Sequence, residues 1–351
     1  MDNFQINKLL KSEFIRNILT LLSGATLAQV ITFISIPILT RIYNPEDFGY
    51  IATYLSICNI LATIASGRYE LAIMLPKDKK VALAIIKGTF KLIFWVSIFT
   101  LILTILLKNS NNKFSELLKP DYFYFIPLST FIFAIVNVLT QWLSRNKKFK
   151  LQASSKIVQS GTSNVTNIAF GFTRTFKYWG LFLGHIAGQL TLLFFLMFPF
   201  LKNEKQNMKT ISRDNVKLAL KENKSFPLYS APMGVLNLFS VDVLIYTFNL
   251  FFSTTMVGLY SNANKVINYP LNLISQSFMS VFYQKISETQ KKLKLYIISY
   301  FSNLTLATIM LIPVILWGEE LFSFFLGQEW EMAGSIAKFL APLTITSFAM
   351  R

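Results

Sequence analysis

Asp242 and Lys265 lie inside apolar segments long enough to cross a bilayer. An ionisable side chain near the middle of a membrane costs about 2.5–3.5 kcal/mol on insertion scales and marks function by default. Asp242 stands ten residues before a polar break near Phe252, and Lys265 ten residues after Thr255. At about 1.5 Å per residue, both reach about 15 Å into a hydrocarbon core about 30 Å thick. They therefore share a depth on antiparallel neighbours. Two chemistries fit that placement. As a structural ion pair the residues neutralise each other. As a working site, Lys265 binds a diphosphate or a sugar while Asp242 takes a proton or a sodium ion.

A second concentration of polar groups is neutral. Gln159, Ser160, Thr162, Ser163, Asn164, Thr166 and Asn167 crowd one segment, too many to face lipid, and Gly161 among them would permit a close helix approach. Asn164 and Asn167 are the expected lining of a wet cleft. Ser23, Thr26 and Gln29, spaced three apart, add one side of the first segment. Helix–helix glue is the competing account for any single one of these residues. Arg68 and Glu70 stand at the inner end of the second segment, where an Arg can fork onto phosphate oxygens. Snorkelling and a local salt bridge are the alternative there, and snorkelling is the reading for Lys338. Arg174 and Lys177 mark an outside mouth or anchor lipid headgroups.

No catalytic constellation is present. The one histidine is His185 and the one cysteine Cys58, which excludes an internal disulfide and a thiolate metal cluster. The acids Glu319, Glu320, Glu329 and Glu331 read as a solvated outer face. No Gly-x4-Gly-Lys-Ser/Thr loop occurs, so the chain hydrolyses no ATP. The expectation is a non-enzyme with no cofactor and no metal.

The elements that position these residues follow from composition. The chain of 351 residues is 53% hydrophobic with 34 Phe, too apolar for a soluble fold. Ten segments of spanning length occur, at roughly 15–40, 48–67, 85–107, 122–143, 156–174, 178–201, 227–252, 255–281, 295–317 and 332–351. No sustained alternation supports strands, so the class is all-α integral membrane with about ten transmembrane helices. The 34 Lys and Arg, against 17 acids, fall in alternate gaps. Twenty-six lie in gaps read as inside and only Arg41, Lys108, Lys113, Lys119, Arg174 and Lys177 in gaps read as outside. That asymmetry puts the N-terminus in the cytoplasm. It also rules out nucleic acid as a partner, since the charge is spread over short loops instead of one face. The longest loop, 202–226, is basic and contains an amphipathic stretch, Asp214 to Asn223, that fits the cytoplasmic leaflet.

A weak internal repeat links Phe48-Gly49-Tyr50-Ile51-Ala52 to Val257-Gly258-Leu259-Tyr260-Ser261. It divides the chain into an N-terminal lobe of helices 1–6 (residues 1–201), the basic linker 202–226, and a C-terminal lobe of helices 7–10 (residues 227–351). A family resemblance enters here. Pro37-Ile38-Leu39-Thr40-Arg41 with Asp47-Phe48-Gly49, then Gly67-Arg68-Tyr69-Glu70-Leu71-Ala72-Ile73-Met74-Leu75-Pro76, resembles the N-terminal signature of bacterial Wzx-type oligosaccharide flippases. Those belong to the multidrug/oligosaccharidyl-lipid/polysaccharide exporter superfamily. The stretch Trp142, Arg145, Lys148, Phe149, Lys150 leading to Gly161 is similar to that family's basic connection between spans four and five. The resemblance implies two six-helix repeats, of which the second is incomplete at Arg351.

It implies a multi-pass protein of the cytoplasmic (inner) membrane that flips an undecaprenyl-diphosphate-linked oligosaccharide, an O-antigen or capsule repeat unit, to the outer leaflet. Its partners would be that lipid-linked oligosaccharide and membrane lipids, with a polysaccharide polymerase and a chain-length regulator beside it. Substrate contacts would fall to Arg68, Glu70, Asn164, Asn167 and Lys265, and ion coupling to Asp242. A multidrug/cation antiporter would share the fold but would want an anionic cavity. A membrane polymerase or glycosyltransferase would want a large outside loop bearing catalytic groups.

Overall fold

Each apolar segment becomes a helix, and each break has a local cause. The computed structural model describes residues 3–108, 120–173, 177–288 and 292–350. The first helix, α1, runs Asn3–Ile42 and stops at Asn44. There the Asn44 side chain accepts from the Asp47 amide at 2.9 Å while Asp47 accepts from the Asn44 amide at 3.2 Å. This reciprocal cap, with Pro45 in the first turn, starts α2 (Pro45–Ser66), because it satisfies donors that a helix start leaves open. Gly67 at φ 56° ends α2.

A four-residue turn of helix, α3 (Tyr69–Ala72), leads to α4 (Lys79–Lys108), α5 (Ile126–Arg145), α6 (Phe149–Gly171) and α7 (Lys177–Thr210). The amphipathic stretch is α8 (Arg213–Glu222), started by Ser212, whose side chain accepts from the Asn215 amide. It is followed by α9 (Ala231–Phe251), α10 (Thr254–Glu288), α11 (Lys292–Leu326) and α12 (Glu331–Ala349). A π turn at Phe226–Ser230 precedes α9, and α11 breaks at Trp317, four residues after Pro313. The basic helix end that α7 carries to Thr210 was expected to be loop. Its Lys and Asn residues continue the helix past the apolar stretch.

Among the described residues, eight helices are long and apolar enough to cross a membrane. The two long helices outside that set are α6 and α10, whose described residues carry the amides and hydroxyls of 159–167 and of 261–268. Both therefore need shielding from lipid, and the bundle supplies it.

In the N-terminal half, α2, α5 and α7 pack around Tyr54, which is fully buried, hydrogen-bonded to Ser129 at 2.6 Å and ringed by Tyr122, Phe123 and Phe182. In the C-terminal half, α11 closes on α12 through Ala333, Ala337 and Ala341, one small residue per turn, all fully buried. The two halves of the chain meet where α2 crosses α10. A Cβ on Gly49 would overlap the Thr254 carbonyl, and one on Gly258 would overlap the Pro45 carbonyl. The two glycines of the sequence repeat thus face each other across the seam.

The loops sort onto two ends. At one, Arg145 donates to the carbonyls of Ile73 and Lys77, Lys87 to those of Met208 and Ile211, and Lys79 pairs with Glu204 at 2.8 Å. This is the basic end. At the opposite end Tyr43 donates to the Asn167 carbonyl at 2.7 Å, and Trp330 donates to that of Thr40 at 3.0 Å while standing edge-on to Phe48. Lys113, Lys119, Arg174, Lys291 and Arg351 lie outside the described residues, as do the side chains of Lys8, Lys11, Arg16, Lys108, Lys177, Lys285, Lys292 and Lys294.

Candidate functional site: a basic cavity between the lobes

A cavity of about 410 Å³ opens between α1, α2, α6, α7 and α10. Each helix contributes one face at turn spacing. From α10 come Asn262, Lys265 and Tyr269; from α6 come Lys156, Gln159, Ser160, Ser163, Asn164 and Asn167; Gln29 and Thr32 come from α1 and His185 from α7. Residues three and four apart share a helical face, so the polar content that makes α6 and α10 poor spans is turned inward together. Phe48 and Leu39 close the cavity toward the opposite end, and Lys156, an exposed residue, stands toward the basic end.

Two of the lining residues, Ser160 and Asn164, also bind helices together. Ser160 donates to the Ala28 carbonyl at 2.8 Å and bonds Thr32 at 2.9 Å, and Asn164 donates to the Ser160 carbonyl at 2.8 Å. That net staples α6 to α1. In contrast Gln29 Oε1, Asn167 Oδ1, His185 Nε2 and both side-chain polar atoms of Asn262 are buried with no protein partner. An unmet buried polar atom costs about 1–3 kcal/mol. Five such atoms around one cavity suit cargo hydroxyls or water that complete their bonds.

Lys265 makes no hydrogen bond or ion pair among the described residues. Its Nζ lies 5.9 Å from the centre of the Phe48 ring. Asp242 points elsewhere: Ser56 of α2 donates to it at 2.6 Å and also bonds Tyr246. The two residues do not form a pair. Depth along the chain sets height in the bundle, but rotation about each helix axis sends one side chain into the cavity and the other against α2. Among the described residues that line the cavity there is no Asp or Glu.

Arg68 and Glu70 form a different locus, at the basic end of the lobe seam. Arg68 Nη1 stands 3.8 Å from Glu70 Oε1, and its guanidinium packs over Gly234 of α9. Three other expectations are corrected. Ser23 is exposed and bonded to its own helix, and Ser23 and Thr26 lie off the cavity lining, so Gln29 and Thr32 carry the α1 face. A Cβ on Gly161 would meet nothing within 4 Å, and the close approach to α6 comes from Gly184, where a Cβ would overlap Asn167. Lys338 pairs with Glu319 at 3.2 Å, with Ser335 on the same carboxylate oxygen, so neither residue is simply snorkelling or solvated.

The sequence profile described as polysaccharide biosynthesis protein matches residues 38–334. The chain belongs to the polysaccharide biosynthesis protein family. A curated relative is the succinoglycan biosynthesis transport protein ExoT of Rhizobium meliloti (strain 1021), 20% identical over 326 residues. The match takes in 88% of this chain and 62% of the length of ExoT. Among solved structures, an inward-facing multidrug resistance MATE family transporter of the MOP superfamily superposes with a TM-score of 0.62 at 13% identity, over 94% of this chain and 82% of its own. The MATE transporter ClbM in complex with Rb+ gives 0.53 at 15%, over 96% and 78%. At such identities the likeness is one of fold. This family member is thus a polytopic membrane protein with the fold of the exporter superfamily, as the resemblance implied.

Sequence reading missed Asn262, Tyr269 and His185 as lining and counted Lys156 as a loop charge. The available signal was the spacing Asn262, Lys265, Tyr269, one face of one helix. For His185, a single imidazole in an apolar segment, no local pattern separates lining from core.

Proposed function

We propose that this protein moves an undecaprenyl-diphosphate-linked oligosaccharide from the cytoplasmic to the outer leaflet of the cytoplasmic membrane by alternating access. The lobes would be residues 1–201 and 227–351, joined by the basic segment 202–226. The observation that carries the reading is the charge of the cavity: two lysines, five amide side chains and one imidazole, with no carboxylate among its described lining. A cationic drug would find no counter-charge there. A diphosphate finds Lys265 and Lys156, and a glycan finds the unpartnered amides of Asn167 and Asn262 and the unpaired Gln29 carbonyl. Family membership and the name of ExoT point to the same class of cargo. Asp242 serves as the coupling carboxylate: its bond to Ser56 spans the lobe seam, so protonating or loading it changes an interlobe contact.

The test is export of lipid-linked oligosaccharide in cells lacking their own flippase. Lys265→Gln removes a charge-assisted contact worth about 1.5–3 kcal/mol, so export falls roughly tenfold or more at unchanged membrane abundance. Lys265→Arg retains part of the activity. Because Asp242 is held by Ser56, the Lys265 variant strands no partner and accumulates normally. Wild-type export by Lys265→Gln at normal abundance removes the anion-binding reading, and efflux of a fluorescent cation that does not depend on Lys265 replaces it with drug transport.

A further inference from the structure

Two apolar recesses continue from the basic cavity toward the opposite end. The first, about 490 Å³, is walled by α1, α10 and α11, and every side chain on it is apolar, with Pro37, Pro270, Val314 and Phe325 among them. Ile36 lines both this recess and the basic cavity. The second, about 500 Å³, shares Pro37 and Phe325 with the first and runs along Ile38, Phe172 and Phe324 to a single charged group, Arg41. Arg41 is exposed and makes no hydrogen bond or ion pair among the described residues. It is also one of the few cations at an end that otherwise carries acids, among them Glu329, which lines a neighbouring recess with Arg41.

Water has no polar partner on such walls, and an unfilled recess leaves its lining without dispersion contacts. A hydrocarbon chain meets both conditions. The shared residues make one continuous surface: polar cavity, Ile36, apolar recess, Pro37 and Phe325, apolar groove, Arg41. One molecule with an anionic head and a long hydrocarbon tail can lie along it, and a guanidinium suits a phosphate at its end.

We propose that the α1–α10–α11 seam is the tail slot for a polyprenyl diphosphate and that Arg41 is a second phosphate station, at the end opposite the basic loops. The inference rests on the lipid-linked reading of the cavity. It gives the tail a fixed track inside the protein and gives the head a cation to move to when it leaves Lys265.

A polyprenyl diphosphate carrying a diazirine in its tail tests the slot in protein reconstituted into phosphatidylcholine nanodiscs. Crosslinks should concentrate in peptides containing Val314 and Phe325, at least fivefold above those at the lipid-facing Phe94, Trp95 and Phe99. Arg41→Gln should cut that yield several-fold at unchanged thermal stability, and Val314→Trp should block it by filling the recess. Equal labelling by a diazirine phosphatidylglycerol makes the recess a bulk-lipid groove and overturns the proposal. So does labelling no higher than at Phe94, or an Arg41→Gln variant that labels as wild type. The two readings fail separately: Lys265-dependent export with an unlabelled recess removes the slot alone, whereas a labelled recess in a protein that exports nothing removes the transport reading.

Discussion

Glu70 is a buried acid outside the spans whose surroundings satisfy it poorly. The residue is 4% exposed, Oε2 has no partner, and its cation stands 3.8 Å away. Arg68 itself sits at φ 57° directly after Gly67 at φ 56°, a left-handed conformation that costs a branched or long side chain about 1 kcal/mol or more. Burial raises the Glu70 carboxyl above its ordinary value of 4.5, with Ser66 and Arg68 pulling the other way. A raised value in the folded state means that protonation favours folding. The stabilisation is full below the ordinary value and is lost as pH rises through the folded one. Wild-type protein should therefore gain thermal stability relative to Glu70→Gln as pH falls from 8 to 5, by on the order of 2 °C, read as unfolding in detergent at both pH values. Parallel shifts of the two proteins would show Glu70 ionised and paired throughout.

The same local logic explains what the sequence disclosed at this scale. Lys265, Asn164 and Asn167 stand out because they violate an apolar pattern. Their bonding does not, because a neighbour from α1 or α2 decides it.

At the scale of elements, the seam between α2 and α10 depends on two hydrogen atoms. Gly49 and Gly258 let two helix starts approach until each would place a Cβ on the other helix's backbone carbonyl. Backbone cannot move aside as a flexible side chain can, so overpacking here costs about 1–3 kcal/mol or more. Gly49→Ala and Gly258→Ala should each lower the yield of monodisperse protein and its melting temperature, whereas Gly161→Ala should leave both unchanged or raised, since Ala is the better helix former by about 1 kcal/mol. Size-exclusion profiles and thermal unfolding of the three variants check this, and equal tolerance at all three positions would deny the close crossing. The helices themselves are legible because apolar length and the breaks at Asn44-Pro45, Gly67 and Phe252-Ser253 are properties of the chain. The turn α3 and the π turn at Phe226–Ser230 are not. They lie where Pro227 of the π turn meets Gly67 and Gly234 of α9 meets Arg68, a tertiary contact with no local signature.

For the whole molecule, the loops that sequence assigned to one side do gather at one end, as Arg145 with Lys77 and Lys79 with Glu204 show. Which compartment that end faces follows from charge. Lysines and arginines are retained on the cytoplasmic side of a bacterial membrane, so the expectation is that the basic end with α8 faces the cytoplasm and that the cavity's Lys156 edge opens there. A carrier loading an anionic lipid headgroup from the inner leaflet needs that orientation, because the reverse would present the Arg41-bearing end to newly made substrate. Asn207 and Gln328 are both exposed and sit at opposite ends. Asn207→Cys and Gln328→Cys, each in a Cys58→Ala background, should therefore react differently with an impermeant maleimide added to intact spheroplasts. Gln328→Cys should label at once, and Asn207→Cys only after the membrane is permeabilised. Labelling of Asn207→Cys in intact spheroplasts would invert the molecule and turn the direction of transport argued from its cavity into import.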